Sequence, residues 1–168
     1  MSKTAKFVVI INDNVVWMEE KALKFYSDLF GSSKEIGEKY ANENLSSQKL
    51  FKIQNDFSVE MLMAYDGENP LSFMKLNSSR LSNQNLDANK PMGVDHIVYF
   101  NSEDINVLFK RAEEVALQRK YDLIWAKAFT IDTVLIDTLK SLGYEEFNYE
   151  KDTTRDTNEK QLYLKKSV

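Results

Sequence analysis

Residues 93–100 form an apolar run, residues 102–120 carry Ile105, Leu108, Phe109, Ala112, Val115 and Ala116 on one helical face, and residues 123–129 form a second apolar run. Two strands joined through a helix pair in parallel, because the crossover returns the chain to the same end of the sheet. The sheet must then be covered by helices, which places the chain in the α/β class.

Segments on either side extend this βαβ unit. Residues 6–11 read as an opening strand ended by the turn residues Asn12, Asp13 and Asn14. From 15 to 30 the apolar positions Met18, Ala22, Phe25, Tyr26 and Leu29 recur three and four apart, with Gly31 where a helix C-cap falls. A more polar helix follows from Ser32 or Ser33 to near Asn44, and residues 50–53 suggest a short strand. Residues 59–65 and 71–76 flank Asp66-Gly67-Glu68-Asn69-Pro70, a hairpin signal. Residues 77–92 are rich in Asn, Ser, Gln and Asp and lack aromatics, so they read as the one long loop. Residues 132–142 repeat a helical pattern before Gly143, and strands at 144–150 and 161–165 enclose a polar turn, with 150–160 as a solvated hairpin tip.

Composition narrows the function. Ten Phe, eight Tyr and two Trp in 168 residues supply one continuous core, and 1–168 reads as a single domain. With no cysteine there is no disulfide framework, thiolate zinc site or cysteine nucleophile. A net charge of -4 opposes a sequence-independent grip on nucleic acid, which rests on many Lys and Arg neutralising phosphates. The longest uncharged apolar run is 7–11, against roughly 20 residues for a membrane helix and about 7 to 15 for a signal-peptide centre. A soluble, cytoplasmic protein without nucleic-acid or membrane partners is expected.

The order strand, two helices, three strands, helix, strand, helix, two strands resembles the GNAT (Gcn5-related N-acetyltransferase) superfamily over nearly the whole chain. Locally the resemblance lies in Met63-Ala64-Tyr65-Asp66-Gly67 leading to Ser72-Phe73-Met74-Lys75-Leu76-Asn77. It continues in Lys120-Tyr121-Asp122-Leu123-Ile124-Trp125 and Leu139-Lys140-Ser141-Leu142-Gly143-Tyr144, and is nearest to the bacterial polyamine-acetylating branch. It implies the GNAT acyl-CoA N-acyltransferase fold, a twisted mixed sheet of about seven strands with about four helices. The implied activity is acetyl transfer from acetyl-CoA, as co-substrate, to a small amine such as a polyamine.

In that family the central strands, here 93–100 and 123–129, diverge to admit the pantetheine arm. The resemblance therefore implies cofactor contacts from Ile97, Val98, Tyr99 and Phe100, with Asn101 and Ser102 at the helix entrance. On the same strand His96, the only histidine, and Asp95 are the candidates for accepting the amine proton, with His96 tuned near neutral pH. By alternation His96 shares a face with Val94 and Val98, and Asp95 with Ile97 and Tyr99. Neither has a partner at metal-ligand spacing, and no metal site is expected.

The chain departs from the family at two places. The family's R/Q-x-x-G-x-G/A corresponds to Phe100-Asn101-Ser102-Glu103-Asp104-Ile105, so Glu103 and Ile105 stand where bare backbone would touch a pyrophosphate, across a connection of about two residues. Glu103 and Asp104 also add like charge, which costs on the order of 4 kcal/mol per contact at 4 Å. The tyrosine that protonates the departing thiolate corresponds to Leu139, read as core packing, and the preceding Asn to Asp132; Tyr144 lies beyond the cap as a strand residue. These departures support an alternative: a degenerate member with weak or no CoA binding, acting as an interaction or ligand-binding module. Glu19 and Glu20 beside Trp17 form a further candidate acceptor surface for a polyamine. A third reading, a vicinal-oxygen-chelate enzyme, follows from Ala22-Leu23-Lys24-Phe25-Tyr26-Ser27-Asp28-Leu29-Phe30-Gly31, but one histidine falls short of its metal ligands.

Overall fold

Asn14 decides where the first strand stops. Its Oδ1 accepts the Ile11 N–H at 2.9 Å and its Nδ2 donates to the Val9 carbonyl at 2.8 Å, so β1 (Lys3–Val8) gives way to α1 (Asn12–Phe30). Both begin earlier than the apolar run suggests, and Asn12 to Asn14 form the first helical turn rather than a separate loop. The computed structural model describes residues 3–78, 88–147 and 160–168.

A 3₁₀ turn (Gly31–Ser33) leads into α2 (Lys34–Leu45), which lies directly on α1 because Gly37 has no side chain. A Cβ there would stand 2.0 Å from the Tyr26 carbonyl oxygen. Residues expected as a strand at 50–53 belong instead to α3 (Ser47–Gln54). Two caps favour the helix: Ser46 Oγ accepts the Lys49 N–H at 3.3 Å, and Glu19 Oε2 accepts the Ser47 N–H at 2.6 Å. Leu50 is fully buried while Phe51 is exposed. A four-residue segment is too short to show a period of its own, and the caps settle it.

The hairpin is as expected, with β2 (Val59–Asp66) and β3 (Asn69–Asn77) joined at Gly67, whose φ of +63° suits glycine. β4 spans Pro91–Val98, two residues earlier than its apolar run, because Pro91 and Met92 already pair with the next strand. The expected loop at 77–92 thus loses both ends to strands, and 79–87 lie outside the described residues. α4 (Ser102–Gln118), β5 (Leu123–Phe129), α5 (Thr133–Ser141), β6 (Glu145–Phe147) and β7 (Gln161–Ser167) complete the order. The proposed hairpin tip at 150–160 lies outside the described residues except for Lys160. Among the described residues there are five α-helices, against about four expected, α3 being the addition.

Among the described residues the sheet has seven strands in the order β1-β2-β3-β4-β5-β7-β6, and only the β4–β5 pair is parallel. α4 packs on β1, β2, β3 and β5, while α1 reaches β4. One large apolar cluster joins these layers, and a small second one gathers Leu123, Trp125 and Tyr163. No helix of the described residues is long and apolar enough to cross a membrane.

Candidate functional site at the strand divergence

β4 and β5 pair in register from Pro91↔Leu123 to Val94↔Ala126 and no further, although both strands continue. On the other side of β4 the register to β3 jumps from Lys75↔His96 to Leu76↔Val94. Asp95 is therefore the extra residue of a β-bulge, at the point where the central pair separates. A bulge bends the strand and re-aims its side chains, so simple alternation across 94–98 does not hold.

The space between the diverging strands is lined by Tyr26, Tyr40, Asp95, Ile97, Lys127 and Phe129, with Asp132, Leu135 and Gln161 beyond them. Its cavity is about 20 Å³, room for a water molecule or an ammonium group. Tyr26 lines this space from α1, and its ring packs 6.3 Å from that of Phe129 on β5. Tyr40 lies 4.8 Å from Tyr26, ring to ring, and 5.0 Å from Phe129.

His96 is buried, with Nδ1 3.1 Å from the Tyr40 hydroxyl. Burial, which disfavours the charged ring, lowers its pKa to about 4; Asp95 opposes this, and Lys75 and Lys127 add to it. The imidazole is thus neutral at pH 7 and a weaker base than the near-neutral tuning expected from sequence. Asp95 Oδ2 pairs with Lys75 Nζ at 3.3 Å. Its Oδ1, like Gln161 Oε1, is buried with no hydrogen-bond partner among the described residues. Two acceptors on one small cavity call for a donor.

Tyr99 and Phe100 have left the sheet. The Tyr99 hydroxyl donates to Asp132 Oδ1, which also accepts the Leu135 N–H at 3.3 Å and so caps α5. Burial raises the pKa of Asp132, and the hydroxyl and amide bonds oppose this. Phe100 is 44% exposed. Three residues, Tyr99, Phe100 and Asn101, link β4 to α4, one more than expected, because β4 ends early.

The α4 entrance fits a pyrophosphate poorly. Asn101 Oδ1 accepts the Glu103 N–H at 2.9 Å, occupying an amide that an anion would use. Asp104 turns inward, 2% exposed, and accepts from Lys3 Nζ at 3.1 Å; Glu103 Oε2 stands 3.6 Å from the same ammonium. Ile105 is fully buried core, not a blocked cradle. Leu139 is likewise fully buried, and Tyr144 is buried just before β6 with its hydroxyl donating to Glu113 at 3.5 Å. Glu19, one of the two surface carboxylates, is engaged at the N-terminus of α3. No cluster able to hold a metal occurs among the described residues.

His96 and Asp95 thus fall at the divergence, Ile97 lies in it, and Asn101 and Ser102 stand at the helix entrance. Sequence reasoning missed Tyr40, Lys127 and Gln161, and took Tyr26 only as an apolar helix position. The available signal was chemical: a tyrosine on a buried helix face needs a partner for its hydroxyl.

No family model and no curated protein matches the sequence. Solved structures match throughout. The PaiA N-acetyltransferase of Thermoplasma acidophilum, determined with coenzyme A, superposes with a TM-score of 0.73 at 14% identity, covering 100% of both chains. A probable acetyltransferase of Staphylococcus epidermidis gives 0.71 at 11% identity over 99% of each chain. A Gcn5-related N-acetyltransferase of Rhodopseudomonas palustris gives 0.70 at 14% identity, over 100% of this chain and 98% of the other. The chain has the GNAT acetyltransferase fold, as its element order suggested. Identities this low carry the fold alone.

Proposed function

We propose that the protein is a GNAT-fold ligand-binding module that keeps the amine side of the cleft and lacks the nucleotide grip. The observation that carries this reading is the α4 entrance, where Asn101 caps the helix, Ile105 is core and Asp104 is bound to Lys3. None of these can be turned toward a diphosphate without breaking a cap, a core contact or an ion pair. The ligand is a small amine, a polyamine being one candidate: its N–H groups match Asp95 Oδ1 and Gln161 Oε1, and the cavity admits its head group. His96 and Asp95 remain the groups nearest that amine, and Ile97 to Ser102 the stretch that coenzyme contacts would use.

Calorimetric titration tests the reading. Acetyl-CoA at about 1 mM should give no binding heat, whereas spermidine should give heat that Asp95→Asn weakens at least fivefold. A micromolar acetyl-CoA constant would overturn it.

One observation favours a second reading, an active N-acetyltransferase. The strands still part after Val94 and Ala126, beside a bulge at Asp95, leaving strand backbone for a pantetheine arm. Amine-dependent thiol release from acetyl-CoA would establish that activity and displace the first reading.

A further inference from the structure

Among the described residues β1 pairs with β2 alone, so its outer edge has no sheet partner. Such edges are commonly guarded by lysines standing across them. Here both lysines of β1 are folded back: Lys3 Nζ donates to Asp104 Oδ1 at 3.1 Å, and Lys6 Nζ lies 4.7 Å from the centre of the Tyr65 ring. We propose that β1 is a docking edge, to which an extended peptide with acidic side chains on one face and apolar side chains on the other adds as a further strand.

Each face of this edge has its own cavity. Lys3 and Phe7 lie on one face of β1 and meet Asp104 and Arg119 near the two ends of α4, so α4 runs along the strand on that side. α3 covers the other side. It packs on β2, whose successive residues Met61 to Ala64 are all buried and therefore covered from both faces, and it packs with α1 and α2, whereas α4 packs with α5. Between β1 and α4 lies a cavity of about 460 Å³, whose lining includes Lys3, Lys110 and Arg111 against the single carboxylate of Glu114. Arg111 meets Glu114 at 3.6 Å, while Lys110 is exposed and has no ion pair among the described residues. In a chain of net charge -4, this local cationic excess favours an acidic partner. Between β1 and α3 lies a cavity of about 160 Å³, lined by Val8, Val9, Ile53 and Met61, with Val9 62% exposed. Its one charged group, Glu60, is bound to Arg119. An extended peptide points alternate side chains to opposite faces, so a strand laid on β1 turns one set toward α4 and the other toward α3. Main-chain bonds to the edge then supply affinity, and the two cavities supply selection.

A fluorescein-labelled hexapeptide of alternating valine and glutamate is the probe, read by fluorescence anisotropy. The unmodified protein should bind it, and bind the same peptide with lysine in place of glutamate at least tenfold more weakly. No binding of the first, or equal binding of the two, would overturn the proposal. Lys110→Glu changes an exposed side chain and should weaken the glutamate peptide at least fivefold; unchanged affinity would count against the basic cavity and overturn the proposal. Strand addition is tested without altering the protein. Of two peptides methylated on alternate sets of backbone nitrogens, the one whose blocked amides face β1 should bind at least tenfold more weakly than the other. Equal binding by both would mean charge attraction without strand pairing. Amide exchange within Lys3–Val8 should slow in the complex, and slowing confined to another part of the sheet would overturn the assignment to this edge.

Discussion

The Tyr40 hydroxyl stands 3.1 Å from Nδ1 of His96, and both residues are buried beneath the divergence of β4 and β5. A hydroxyl and an uncharged imidazole satisfy each other there, and that neutrality is what burial demands. Tyr40→Phe leaves Nδ1 without this partner and should cost about 1–3 kcal/mol, read from urea denaturation. A loss below about 0.5 kcal/mol would show that the ring finds another partner.

His96 makes stability depend on pH with a definite sign. Its folded pKa of about 4 lies below the ordinary 6.5, so between these values the unfolded chain takes up a proton that the folded protein does not. The stability it contributes is complete above pH 6.5 and is lost as pH falls toward 4. Between pH 7 and pH 4.5 the loss attributable to this group is about 2–3 kcal/mol. His96→Gln should show a correspondingly flatter profile, while the opposite contribution of Asp132 is common to both proteins. Any turnover that used His96 as a base should have its acid limb near pH 4, and a limb at 6 to 7 would point to another group.

Asp132 joins the β4–α4 connection to α5 through the Tyr99 hydroxyl and the Leu135 amide. Asp132→Ala removes the cap and orphans the hydroxyl, a loss of about 1–3 kcal/mol. Asp132→Asn keeps an accepting oxygen and should cost less than half as much. Chemical denaturation of the two variants distinguishes them; equal losses would mean that the charge, not the cap, matters.

Introducing glycines at the α4 entrance should not create a coenzyme site. Glu103 is exposed, and Glu103→Gly should change stability little beyond the helix penalty of about 1 kcal/mol. Ile105→Gly empties a fully buried position and should cost about 4 kcal/mol or more. Thermal melts of the two single variants check the contrast, and a stable Ile105→Gly protein that binds acetyl-CoA would contradict it.

Gly93 supports the ring of Trp125 on the neighbouring strand, where a Cβ would fall 2.1 Å from the indole. Gly93→Ala should cost about 1–3 kcal/mol and move the Trp125 ring, visible as a change in near-ultraviolet circular dichroism. An unperturbed spectrum with full stability would show that the ring had room to yield.

The βαβ unit, the hairpin at Gly67 and the helical faces of α1, α4 and α5 were legible because each depends on a period or a turn residue within a short stretch of chain. That Ile105 is core was not legible, because nothing within residues 100–105 shows what packs over it. Other features depend on residues far apart. Residues 50–53 became helix partly because Glu19 reaches Ser47 from α1. Asp104 turned inward because Lys3 arrives beside it from 101 positions away. The strand divergence after Val94 and Ala126, the bulge at Asp95 and the place of Tyr26 in the lining between the strands appear in no local pattern. Periodicity specifies which face of an element is apolar, but where two strands stop pairing depends on what packs between them. Only the assembled helices α1 and α2 supply that.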